Sequence, residues 1–73
     1  MKADASKVDY YMAETAVKRA SSRGSVYTEC IRISYQTTGR LDCGFNANDL
    51  QAWININMPD VFDEKGNKHD QPR

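Results

Sequence analysis

A chain of 73 residues whose ten Lys/Arg are balanced by ten Asp/Glu makes one small domain. It lacks the clear basic excess of a dedicated nucleic-acid binder. No apolar run is long enough to cross a membrane, and Met1-Lys2-Ala3-Asp4 leads into a polar segment without the pattern of a secretion signal. The cytosol is the expected compartment, with both cysteines reduced.

A first helix is expected over residues 6–22. Ser6 reads as its N-cap, with Asp9 three residues on as a short capping-box partner. Val8, Met12, Ala13, Ala16, Val17 and Ala20 share one arc at helical spacing, and the alanines let it lie close to what it covers. Glu14 and Lys18 form an i,i+4 pair away from that arc. Lys18, Arg19 and Arg23 suit a helix C-terminus, and Gly24 reads as its stop.

Residues 27–45 predict an antiparallel hairpin. With Thr37-Thr38-Gly39 as the loop, Tyr35 faces Leu41, Ile33 faces Cys43 and Ile31 faces Phe45, all on one side. Gly39 falls where such a loop needs a left-handed residue. The other side carries Thr28, Cys30, Arg32, Ser34 and Asp42, a half-wet surface of the kind antiparallel sheets allow. In this register Cys43 is a core residue, Cys30 is partly exposed, and Arg32 and Asp42 form a cross-strand ion pair.

Phe45-Asn46-Ala47-Asn48-Asp49-Leu50 signals a second helix, running to about residue 57. Asn46 is its N-cap, Asp49 its acidic N3 residue, and Phe45 with Leu50 a hydrophobic staple. Ala47, Leu50, Trp53, Ile54 and Met58 form its buried stripe. The alternation at 54–58 also fits a third strand, but the strong start signal favours helix.

The fold class is therefore α+β, helix–hairpin–helix (αββα), spanning residues 1–62. Residues 63–73 read as a polar, flexible tail. A lone hairpin leaves two open edges, which invite a further strand from a second copy, completing a larger sheet by dimerisation, or from a partner protein.

Catalytic chemistry is not indicated. The only histidine, His69, falls in the tail, and Cys30 has no base beside it. Asp60, Asp63 and Glu64 form only a loose acidic group, and no glycine-rich phosphate loop occurs. No enzyme activity, cofactor, metal or small-molecule substrate is expected.

Two binding surfaces stand out. Lys18, Arg19, Arg23, Arg32 and Arg40 would form a phosphate-binding patch if brought to one face. Tyr11 lies off the buried arc and Tyr10 at its margin, and with the open sheet face they point to a protein partner or a homodimer. Protein binding is the leading expectation, and a small nucleic-acid-binding regulator is the alternative. In size, lack of catalytic groups and mixed surface, the chain resembles in a general way small phage or plasmid accessory proteins. Anti-CRISPR and other anti-defence inhibitors, which bind and block a host protein, are examples. The resemblance implies a stoichiometric blocking or adaptor role.

Overall fold

The structure is a computed structural model that describes residues 3–68. Three helices, α1 (Tyr10–Arg19), α2 (Val26–Thr38) and α3 (Ala47–Asn57), are joined with two short 3-10 turns, Ala5–Lys7 and Arg23–Ser25. Among the described residues there is no sheet. Two isolated bridges pair Ser22 with Asn67 and Phe62 with Lys68. The fold is all-helical, so the expected α+β architecture, its β-hairpin and any sheet completed by dimerisation are overturned.

The reason lies in residues 26–38, which carry two periods at once. Tyr27, Ile31, Ile33 and Tyr35 alternate, as a strand would. Val26, Cys30, Ile33, Ser34 and Thr37 recur at helical spacing, and Val26, Cys30 and Ser34 are the residues that the fold buries. A helix satisfies its backbone internally, whereas a solitary hairpin leaves both outer edges unpaired. Gly39 is left-handed, with φ 77°, but it stops α2 instead of turning a hairpin. Its N–H donates to the Tyr35 carbonyl at 2.9 Å. The Thr37 and Thr38 hydroxyls donate back to the carbonyls of Ile33 and Ser34, at 2.9 and 2.8 Å. What reads as a hairpin loop is a capped helix end.

α1 is shorter than expected at both ends. Asp9, not Ser6, is its N-cap, accepting the Met12 N–H at 3.1 Å. Asp4 caps the preceding turn through the Ser6 N–H at 3.0 Å. The chain is extended at Ala20 and again at Ser22, so α1 ends well before Gly24. The predicted small-residue arc is present: Ala13, Ala16, Val17 and Ala20 are buried, and α1 packs on α2. Without large side chains between them, the two helices can approach closely.

α3 matches its sequence signature. The Asn46 side chain accepts the Asp49 N–H at 2.8 Å, and the Asp49 carboxylate accepts the Asn46 N–H at 3.3 Å. Phe45 and Leu50 are both buried, as a staple requires. Leu50, Trp53 and Ile54 face the core, Met58 is half-buried, and Ala47, expected inside, is exposed. The strand alternative at 54–58 does not form.

Asp49 does more than cap. It is 4% exposed, and its second oxygen accepts the Asp4 N–H at 2.7 Å. This bond ties the N-terminal segment to α3, which packs against the Ala5–Lys7 turn. The Tyr10 ring meets Trp53 edge to face at 5.2 Å beside the same seam.

Phe62 is buried, and the residues after it fold back. Residues 63–68 fall in the stretch expected as tail. Asp63 N–H donates to the Asn67 carbonyl at 2.8 Å, and the Gly66 carbonyl accepts the Arg23 N–H at 2.7 Å. Gly66 makes this turn with φ 87°. His69 and the rest of the expected tail lie outside the described residues.

Replacing Asp49 with alanine leaves two main-chain donors without their acceptor and should cost about 1–3 kcal/mol. Asp49→Asn keeps one acceptor and should fall between. Urea unfolding midpoints measure both. An unchanged midpoint for Asp49→Ala would show that the clamp carries no stability.

Candidate functional site

The polar face expected to run through Thr28, Cys30, Arg32, Ser34 and Asp42 does not exist. Residues two apart on a helix lie on nearly opposite sides, whereas residues four apart share one. Thr28 and Arg32 are therefore exposed together, and Cys30 and Ser34 are buried together. Ser34 Oγ donates to the Asp42 carbonyl at 2.9 Å, which draws the loop after α2 against the helix. The Asp42 carboxylate accepts the Gly44 N–H at 2.9 Å. Arg32 stands 3.9 Å from Glu29, its neighbour one turn back, and not across from Asp42. With Arg32 open to solvent and the atoms at the limit of ion-pair distance, the pair contributes little.

The cysteines exchange the environments expected of them. Cys30 is fully buried and Cys43 only half-buried, its thiol 3.5 Å from the Phe45 carbonyl. Burial, reinforced by Cys43, pushes the Cys30 thiol from 9.0 up to about 12. It stays protonated at neutral pH and is a poor nucleophile. Tyr27, half-buried, donates its hydroxyl to the same Phe45 carbonyl at 3.2 Å and meets the Phe45 ring edge-on. Burial, then neighbouring Cys43, raises its phenol pKa as well.

The five cations do not form one patch. Lys18 and Arg19 are exposed in the last turn of α1, where positive charge complements the helix dipole. Arg23 follows in the next turn. Arg32 lies along α2, and Arg40 lies beyond its far end, a 13-residue helix away, or about 20 Å. Lys68 joins the α1 end instead, its ammonium donating to the Lys18 carbonyl at 2.9 Å. No sequence signal locates Lys68 there, because 50 residues separate the two.

Apolar surface is spread over all three helices. Tyr11 is 82% exposed, Tyr10 56%, and Ile56 70%. Tyr35 and Leu41, expected to pair in the core, are 58% and 70% exposed, because the hairpin that would bury them is absent. A shallow groove of about 240 Å³ opens between α1 and α2, lined by Tyr11, Met12, Thr15, Ile33 and Thr37, with Asp9 at its edge. Met12 and Ile33 were not singled out from sequence as binding residues. The helical period through Ile33 would have placed it beside α1.

Among the described residues, no three His, Cys, Asp or Glu side chains gather as a metal site. No described helix is long and apolar enough to cross a membrane. Comparison with protein-family models, with curated proteins and with solved structures finds no match.

Alkylation of the native chain at neutral pH should modify Cys43 and spare Cys30 until the fold is opened. Peptide mapping by mass spectrometry reads the difference, and equal rates at the two thiols would contradict the burial of Cys30. A pH dependence follows too. Cys30 holds its proton more tightly when folded, so its stabilising effect is complete below 9.0 and is lost as pH climbs toward about 12. Denaturation at stepped alkaline pH should show that decline, and Cys30→Ala should lessen it.

Proposed function

We propose that this chain is a non-enzymatic module that acts by stoichiometric binding to a protein. The observation that carries this reading is the groove between α1 and α2, where Tyr11 stands exposed beside Met12 and Ile33. Single exposed apolar residues are ordinary. A tyrosine at the mouth of a groove between packed helices is different, because an entering side chain buries apolar area while the phenol keeps a polar contact. The small core adds support, since a domain of this size gains proportionally more from covering its surface. The cytosol is taken as the setting, on the sequence grounds above, and the occupant is a partner protein or a second copy. The general resemblance to phage and plasmid accessory proteins favours a blocking or adaptor role. No cofactor, metal or small-molecule substrate forms part of this reading.

The test compares the immobilised chain with its Tyr11→Lys variant in extracts of the organism that encodes it. Light scattering gives the mass of each free protein. Tyr11 is exposed, so the variant keeps the fold. The wild type should retain a protein in stoichiometric amount, or form a dimer, and the variant should lose that association by roughly tenfold or more. Equal retention by both chains would overturn the reading. So would capture of nucleic acid alone, weakening steeply with salt and with Arg19→Glu.

A further inference from the structure

A second cleft, sharing no lining residue with the Tyr11 groove, opens where the Arg23–Ser25 turn meets α3. Tyr27, Leu50 and Ile54 supply apolar walls, and Arg23, Gly24 and Gln51 supply the polar atoms. Its volume is about 150 Å³, a size that accommodates a single side chain or ring. Drug-sized ligands need several times more space.

Arg23 is the only formally charged residue lining this cleft. Among the described residues its guanidinium has no ion-pair partner, the one ion pair there being Arg32–Glu29. Arg23 is also held in place. Its N–H donates to the Gly66 carbonyl at 2.7 Å. Its side chain lies along Gly66, where an added Cβ would stand 3.5 Å from Arg23 Cβ and 3.8 Å from Nε. The opening turns of α2 and α3 line the same space through Tyr27 and Ala47. At the rim, Gly24 has open space where a side chain would project, so another main chain can approach the turn.

We propose that this cleft binds the C-terminal residue of a partner peptide, with its free carboxylate on Arg23 and an aliphatic side chain against Leu50, Ile54 and Tyr27. The argument is one of volume. A C-terminal leucine, isoleucine or valine carries a carboxylate and an apolar group within one residue. An internal Asp or Glu fills the space with its own carboxylate and leaves the apolar walls to a second residue, for which there is no room. The planar guanidinium suits a carboxylate through paired N–H donors. Gln51, whose Nε2 donates to Asn55 Oδ1 at 3.2 Å, brings an amide for the peptide main chain.

The test is an amide-shift titration of the isotope-labelled full chain with N-acetyl-leucine. Saturable shifts should appear at Gly24, Tyr27 and Gln51. N-acetyl-leucinamide, which lacks the charge, and acetate, which lacks the side chain, should each bind roughly tenfold more weakly or not at all. The dipeptide amide acetyl-Glu-Leu-NH2, with its carboxylate on a side chain, should fall with them. Arg23→Gln and Gln51→Glu should each weaken N-acetyl-leucine by roughly fivefold or more. Gln51→Glu decides the matter if Arg23→Gln disturbs the fold. Absence of saturable shifts overturns the proposal, as does equal binding of any of the three control ligands. These results are independent of Tyr11→Lys, so this site and the α1–α2 groove can fail separately.

Discussion

The fold is closed by one carboxylate. Asp49 accepts hydrogen bonds from the main chain of Asn46 in its own cap and of Asp4, 45 residues away. The first bond starts α3. The second lays the N-terminal turn along it, and that turn is the element against which α3 packs most extensively. Val8 enters the core from this segment, and Tyr10 reaches Trp53 just after it. A buried carboxylate is costly unless its oxygens are satisfied, and here the donors are main-chain groups that would themselves be stranded without it. The arrangement is reciprocal, and it falls at the seam that holds the third helix to the rest.

What the sequence reveals follows the range of the interactions involved. The start of α3 is legible because Phe45, Asn46, Asp49 and Leu50 act within six neighbouring positions. The buried arc of α1 is legible from its alanines, whereas its first residue is not, because Ser6 and Asp9 are both competent caps. α2 is not legible locally. Its two periods compete, and burial of Val26, Cys30 and Ser34 against α1 and the following loop selects one of them. Each error about the candidate site follows from that choice. Thr28, Cys30, Arg32 and Ser34 share a face only in a strand, and the two cysteines trade places when the strand becomes a helix. Arg19 and Arg23 stay near one another because the chain keeps them so, but Arg40 is carried off by the length of α2.

The groove and the cleft sit toward opposite ends of α2. Ile33 and Thr37 belong to the groove, and Arg23, Gly24 and Tyr27 belong to the cleft. They differ in chemistry as well as position. The groove offers apolar contact with a phenol at its edge, whereas the cleft offers one cation above aliphatic walls. A partner that used both would have to span most of the domain, as an extended segment does and a compact knob does not.

The double period of α2 also matters when the helix comes apart. In the open chain, Ile31, Ile33 and Tyr35 still alternate with polar residues, and the stretch from Val26 to Thr38 contains no proline or glycine to interrupt them. Such a segment pairs readily with its own kind from another molecule. The helical state guards against this by half-burying Tyr27, Ile31 and Ile33 and by engaging the main-chain N–H groups beyond the first turn within the helix. At the end of the helix the hydroxyls of Thr37 and Thr38, folded back on the last turn, occupy carbonyls that a second strand would otherwise meet.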